Sequence, residues 1–247
     1  MLGRLAYNLD LNLYPKNFHN TNFVIYRLFR LLLLPLGKKF SAKFAVNLHW
    51  IFRHLAVATS SNLLKDDFLN SRSAIVQGNL FEKYLKPEHF VVDVACGTAR
   101  FLPLLYSIGI SRYVGIDSSE THIDRNQSKY PNSEFILANA LDARFIPICD
   151  AIIASHFIEH CDSPETFLKD IQDRCKLLFL EVPDFFSDPV NVVSFKLGGT
   201  WWTDRDHRRE YSEESLDKLL TKCNYQILDK KFSGGTIGII ATPLVTM

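Results

Sequence analysis

Residues 91–105 read Val91-Val92-Asp93-Val94-Ala95-Cys96-Gly97-Thr98-Ala99-Arg100-Phe101-Leu102-Pro103-Leu104-Leu105. They pass from an apolar, β-branched run through a patch of small residues into a helical stretch. A buried strand, a tight turn and a helix form the repeating unit of a doubly wound sheet, where ligands sit beyond the carboxyl ends of the strands. Gly97 and its small neighbours let a ligand approach the backbone, and the helix that follows presents unpaired N–H groups. About 20 residues further on, the spacing typical of nucleotide sites, a second apolar run ends in Gly115-Ile116-Asp117. An acidic side chain there can accept hydrogen bonds from both hydroxyls of a ribose.

Outward from this stretch, short apolar runs alternate with helical ones. Strands are expected at Phe90–Ala95, Arg112–Asp117, Glu134–Ala138, Asp150–Ser155 and Leu177–Val182, each joined to the next by a connection long enough for a crossover. Two more, Tyr225–Phe232 and Thr236–Thr242, are separated only by Ser233-Gly234-Gly235. They are too close for a crossover helix and should form an antiparallel hairpin at the sheet edge. The expected fold is therefore α/β: a Rossmann-like doubly wound seven-stranded sheet with a terminal antiparallel hairpin, plus a helical N-terminal extension. The extension covers residues 1–62 and the sheet domain 63–247.

The extension differs from the rest in charge. Residues 1–62 hold Arg4, Lys16, Arg27, Arg30, Lys38, Lys39, Lys43 and Arg53 against a single Asp10, a balance of +7 in a chain whose net charge is +1. Pro35-Leu36-Gly37 breaks its helical pattern. After the break Phe40, Phe44, Leu48, Ile51 and Leu55 recur along one helix face, with Lys39, Lys43, Asn47 and His54 on another. The run Phe23–Leu34 carries Arg27 and Arg30 and is shorter than the roughly 20 residues a spanning helix needs. Across all 247 residues, 47% are hydrophobic and 22% charged, which excludes a disordered, collagen-like or multi-span membrane chain. Cys96, Cys149, Cys161, Cys175 and Cys223 form no CxxC pair, so reduced thiols in the cytoplasm are expected rather than a zinc knuckle or a disulfide framework.

The run VVDVACGTARFL resembles motif I of the class I S-adenosylmethionine-dependent methyltransferases, a hydrophobic-x-D-x-GCG-x-G pattern. The likeness extends over about residues 75–242 and includes the closing hairpin. It implies S-adenosyl-L-methionine as cofactor, with Asp93, Ala95 and the Cys96–Gly97 backbone toward its methionine end and Asp117 on its ribose. It places Ser118 and Asn139 beside the adenine and adds Ala140 and Ser155 to the cofactor set. Ala95 and Ala99 stand where the family has its first and last loop glycines, and Asn139 where it often has Asp. Alanine suits such a position where no positive φ is needed. A dinucleotide-binding oxidoreductase is disfavoured, because its G-x-G-x-x-G loop needs more glycine.

Ser155-His156-Phe157-Ile158-Glu159-His160 follows the fourth strand, and on a helix His156, Glu159 and His160 would share a face. His207 lies further on, before Ser212, which reads as a helix N-cap with Ser215 in place of the capping-box Glu. Three readings stand for His156, Glu159, His160 and His207. They are a catalytic set with a histidine base, a divalent-ion site, or polar residues at the rim. The I-E-H run with a later D-x-H resembles, more weakly, the small-RNA 3′-terminal 2′-O-methyltransferases, whose metal is held by a Glu-x-x-Glu-His set and a distant His. The same run, with H-x-x-E-Y-S-x-x-S-L, also resembles many small-molecule and glycan methyltransferases. No metal is assigned.

Asp184, Phe185, Phe186, Trp201 and Trp202 are candidates for shaping an acceptor pocket after Glu181-Val182-Pro183. The expected activity is O-methylation of a small lipid-like or glycan acceptor. The alternatives are a metal-dependent RNA 2′-O-methyltransferase and a non-catalytic partner protein of the same fold. For the basic extension, packing on the core and contact of residues 1–60 with the inner face of a membrane are both expected roles. Nucleic acid is disfavoured, since the aromatic residues are not interleaved as a stacking platform.

Overall fold

The computed structural model describes residues 27–29, 31–60, 80–197, 206–233 and 235–244. The chain divides into two compact units, Met1–Leu55 and Ala56–Met247. In the first, helical residues at 27–29 and 31–33 lead to a 3₁₀ turn at Leu34–Leu36, then to helix α1, Lys38–Ser60, whose last five residues fall in the second unit. Gly37 between them has φ 93°, a left-handed conformation that glycine adopts without a side-chain clash. Pro35 and Gly37 thus interrupt the helix as their chemistry requires. Among the described residues no helix is long and apolar enough to cross a membrane.

The second unit is the expected sheet. In chain order its elements are β1 Phe90–Val94, α2 Leu102–Ser107, β2 Arg112–Asp117, α3 Glu120–Lys129, β3 Glu134–Leu137 and β4 Ala151–Ser155. There follow α4 Pro164–Asp170, β5 Leu177–Pro183, α5 Pro189–Lys196, α6 Glu213–Lys222, β6 Tyr225–Ser233 and β7 Thr236–Pro243. The strand order is β3-β2-β1-β4-β5-β7-β6. Strands β1 to β5 run parallel, and β7 enters antiparallel between β5 and β6. A two-residue link cannot reach across the sheet, so β6 takes the edge and β7 closes onto β5.

The parallel strands are apolar along their whole length because both faces are covered. Val92, Val94, Ile152, Leu178 and Leu180 pack on one face with Phe167, Leu168, Leu216 and Leu220 from α4 and α6. Val91, Ile153 and Phe179 pack on the other with Leu80, Phe81, Leu102 and Leu105. The rings of Phe101 and Phe179 meet Phe81 edge-on, at 5.4 and 4.9 Å between centroids. Ser212 caps α6 in a reciprocal box with Ser215, each side chain paired with the other residue's backbone N–H. All five cysteines are buried and unbonded.

Register aligns the strand ends. Asp93 lies opposite Gly115 and Ile153, Asp117 opposite Leu137, and Ser155 opposite Glu181. The carboxyl ends of β2, β1, β4 and β5 therefore stand side by side, and the loops that leave them share one edge. Gly115 is required for this fit: a Cβ there would lie 2.8 and 2.9 Å from two ring carbons of Phe135 and 2.9 Å from Cys96 Sγ. Gly115→Ala is expected to destabilise the fold by about 1–3 kcal/mol, as overpacking of a tight core does. At a few degrees per kcal/mol for a domain of this size, calorimetric unfolding would detect the change.

Candidate functional site

The loop after β1 is held by backbone and side-chain bonds that converge on Gly97. The Cys96 N–H donates to Ile116 O at 3.0 Å, extending the β1–β2 ladder by one residue. The Gly97 N–H donates to Asp117 Oδ2 at 2.8 Å, and its carbonyl accepts from Asn126 Nδ2 on α3 at 2.7 Å. Asp117 Oδ1 accepts from the Ser119 N–H at 2.8 Å and lies 3.5 Å from His122 Nδ1. A carboxylate offers about four acceptor positions, so capacity remains for a ribose. A Cβ built on Gly97 would meet nothing within 4 Å, so the loop faces open space. An acid with acceptor capacity beside an open loop fits S-adenosylmethionine.

The backbone of this loop corrects one expectation. Ala95, Gly97 and Ala99 have φ of 53°, 52° and 52°, so both alanines occupy the left-handed region rather than an ordinary one. Three left-handed residues at alternate positions produce the tight reversal from strand to helix, and that turn imposes the conformation whatever residue is present. An alanine there costs about 1–2 kcal/mol, which the bonds to Asp117 and Asn126 offset.

Asp93 is buried, accepts from the Tyr113 hydroxyl at 3.1 Å, and is raised to about 7 by burial. Burial likewise pushes the Cys96 thiol far above its usual range, so it stays neutral. Ser118 is exposed. Asn139 is also exposed, with its Oδ1 turned back to the Leu141 N–H at 3.0 Å, and Ala140 is buried after β3.

A chain of charges crosses the strand ends from this loop. Arg100 Nη2 donates to Ser155 Oγ and lies 3.4 Å from Glu181 Oε1. Glu181 Oε1 is 3.1 Å from His156 Nε2, and His156 Nδ1 is 3.4 Å from Glu159 Oε1. Both carboxylates are fully buried. Burial alone would push the His156 imidazole down, yet the flanking Glu159 and Glu181 carboxylates raise it to about 9. At neutral pH His156 is therefore predominantly an imidazolium, which has no lone pair with which to act as a base.

Residues 156–160 form a turn, not the expected helix. His156 has φ 49°, and the His160 and Cys161 N–H groups donate to Phe157 and Ile158, three residues back. The Glu159 carbonyl accepts instead from the Arg208 N–H at 2.8 Å, a bond that draws the two segments together. Glu159, His160 and His207 thereby converge, with one potential ligand atom from each lying within 4.8 Å of the others. Among the described residues, neither Glu159 oxygen has a hydrogen-bond donor. His207 is buried, its Nδ1 lies 2.9 Å from Glu210 Oε1, and its ring meets that of His160 edge-on at 4.8 Å. A carboxylate on the far nitrogen is the usual support of a metal-binding histidine, and three N/O ligands leave positions open on a divalent ion. The set Glu159, His160 and His207 therefore fits such an ion, whereas His156 is committed to Glu181.

Beyond β5, Phe185 and Phe186 are 5.1 Å apart between ring centroids, and Phe186 and Phe195 are 6.0 Å apart. Phe186, Val193 and Phe195 are exposed, and burial raises the Asp184 carboxyl. Trp201 and Trp202 lie outside the described residues. Arg100, Asn126 and Glu210 were not legible as site residues. Asn126 sits on a polar helix and reads as solvated, and only the position of Arg100 directly after the small-residue loop gave a signal.

A family model described as a methyltransferase domain matches residues 71–230. Among solved structures, the PH0226 protein of Pyrococcus horikoshii OT3 is 20% identical with a TM-score of 0.56, over 69% of this chain and 89% of that one. A SAM-dependent methyltransferase from Aquifex aeolicus is 18% identical with a TM-score of 0.56, over 76% and 98%. The magnesium protoporphyrin IX methyltransferase of Synechocystis PCC 6803, solved with bound SAH, is 18% identical with a TM-score of 0.54, over 69% and 81%. At these identities the structural matches speak to fold. None of the curated proteins matches the chain.

Two measurements probe this geometry. Ala95→Gly should stabilise the fold by about 0.5–1 kcal/mol, the left-handed cost less the added freedom of the unfolded chain. Ala99→Gly should be near neutral, because it also forfeits a buried methyl worth about 0.8 kcal/mol. Denaturant midpoints would separate the two. For His156 the folded pKa of about 9 lies above the reference value of 6.5. Its contribution is therefore complete below 6.5 and is lost as pH rises toward 9. The Asp93 shift acts lower, between 3.8 and about 7. His156→Gln should flatten the alkaline slope and cost about 1–3 kcal/mol at pH 7, the low end because the side chain is 34% exposed.

Proposed function

The chain belongs to the family of methyltransferase domains and is an enzyme that takes its methyl group from S-adenosylmethionine; on that premise, we propose that it methylates an oxygen of a small lipid-like or glycan acceptor. The observation that carries this reading is the histidine pair at the carboxyl edge of the sheet, His160 against His207, with His207 braced by Glu210. A hydroxyl ionises far above neutral pH, so its methylation gains from a positioned base, which typically contributes about 10²–10⁴-fold.

When bound, S-adenosylmethionine supplies an electrophilic sulfonium methyl. Asp117 and the Gly97 backbone would hold the donor, and Arg100 ties that loop to the ends of β4 and β5. His160 would take the hydroxyl proton as the acceptor oxygen bonds to the methyl carbon, the carbon–sulfur bond breaking to leave the donor sulfur as a neutral thioether, and Glu210 would keep the His207 ring in place beside it. The exposed Phe186 and Phe195 rings support an apolar acceptor. A second reading, a metal-dependent RNA 2′-O-methyltransferase, is favoured by the convergence of Glu159, His160 and His207. There the ion would orient a terminal diol.

Radiolabelled methyl transfer into lipid, glycan and RNA fractions of a cell extract tests both. Label should enter the lipid or glycan fraction and fall by at least about 100-fold with His160→Gln, while calorimetric donor binding persists. Asp117→Ala should abolish donor binding itself. Label confined to RNA ends and lost on chelation would replace the first reading with the second. Donor binding without transfer to any fraction would overturn both.

A further inference from the structure

We propose that α1 lies in the plane of an anionic bilayer surface, its apolar stripe at the acyl boundary and its lysines among the headgroups. The inference is independent of the acceptor and rests on the first unit alone. In α1, Phe40, Phe44, Ile51 and Leu55 are exposed and Leu48 half-buried. At 100° per residue these five span an arc of roughly 80°, a single stripe along the helix. Phe40, Ile51 and Leu55 keep 53%, 52% and 55% of their surface in water, and the Phe40 and Phe44 rings stack at 6.4 Å. Burying a large apolar side chain gains about 1.5–3 kcal/mol, so the stripe forgoes something on the order of 5–10 kcal/mol while it faces water. The helical residues before the break add Leu28, Phe29, Leu31 and Leu32, all exposed.

Charge selects the occupant of this face. From Leu11 to Lys65 the chain has no Asp or Glu, yet it has Lys16, Arg27, Arg30, Lys38, Lys39, Lys43, Arg53 and Lys65. A second protein would normally meet both signs of charge, whereas an anionic bilayer repels every carboxylate and rewards each nearby lysine by about 1 kcal/mol. Lys39 and Lys43 sit within about one residue's rotation of the stripe edge, where their long stems can lie on apolar surface and lift the ammonium groups to the headgroups. Four basic residues in α1, at 38, 39, 43 and 53, oppose threading through the acyl core. The helix therefore lies on a membrane and does not cross it. Nucleic acid would use aromatic rings as separate stacking platforms, but Phe40 and Phe44 share one stripe with aliphatic neighbours.

Flotation of the full chain with vesicles of phosphatidylcholine alone, or mixed with phosphatidylglycerol, tests this. The chain should float with the mixed vesicles and bind pure phosphatidylcholine at least about tenfold more weakly. The doubly substituted chains Phe44→Glu/Ile51→Glu and Lys39→Glu/Lys43→Glu should each lose at least about tenfold in partitioning while retaining calorimetric binding of S-adenosylmethionine, which reports the folded second unit. Failure to float, or flotation indifferent to both vesicle charge and Lys39/Lys43, overturns the proposal. So does a concentration-dependent dimer broken by Phe44→Glu/Ile51→Glu with no vesicle binding, which would assign the stripe to a second copy. RNA retention without flotation also overturns it.

Discussion

Asp117 accepts the N–H groups of Gly97 and Ser119, one on each carboxylate oxygen, and through them it joins the loop after β1 to the start of α3. Its position is inherited from the sheet: β2 neighbours β1, so the last residue of one strand meets the first loop of the other. The bond to Gly97 stabilises a backbone that would otherwise relax, since Ala95 and Ala99 are held left-handed on either side of it. Asn126 completes the grip from α3 by donating to the carbonyl of the same residue. One acid thus couples two strands, a helix and a strained turn, and a ligand that takes up its remaining acceptor capacity binds to a preorganised surface.

The neighbouring strand ends contain a second constraint. Glu181 and Glu159 are fully buried, and a buried carboxyl group is costly unless positively charged or hydrogen-bonding partners stand beside it. His156 supplies one positive charge and Arg100 another. The left-handed φ of His156 follows from this: the strand must end and the side chain must turn inward between the two acids. A left-handed non-glycine residue costs about 1–3 kcal/mol and persists where its surroundings over-determine it, here through the contacts of His156 with Glu159 and Glu181.

The fold was legible because its signals are local. Strand limits, the capping box at Ser212 and the interruption at Pro35 and Gly37 depend on periodicity and backbone chemistry within a few residues. The loop after β1 was legible as a turn though not in conformation, because the left-handed alanines answer to Asp117, a residue from another strand. Of the four residues His156, Glu159, His160 and His207, the structure groups the last three and leaves His156 against Glu181, on a turn and not a helix. A helix would have placed His156 beside Glu159 and His160 by spacing, whereas the turn separates His156 from His160 and unites His160 with His207, 47 residues away in sequence. That exchange depends on the Glu159 carbonyl bonding to Arg208, a pairing that leaves no periodic trace. Asn126 and Glu210 were hidden for the same reason: a polar residue on a polar segment gives no sign of which buried atom it serves.

The two kinds of histidine at this edge show how carboxylate number sets chemical use. His156 has a buried carboxylate near each ring nitrogen and is predominantly a cation near neutral pH, so it organises charge and is a poor general base there. His207 has Glu210 on Nδ1, which fixes the ring while its edge remains against His160. Glu159 stands between the two arrangements, at ion-pair distance from His156 and within reach of the His160–His207 pair. A proton or a divalent ion arriving at His160 therefore meets a carboxylate already partly neutralised by His156. This lowers the cost of keeping Glu159 buried when nothing is bound, and it also weakens the pull of Glu159 on any cation that does bind.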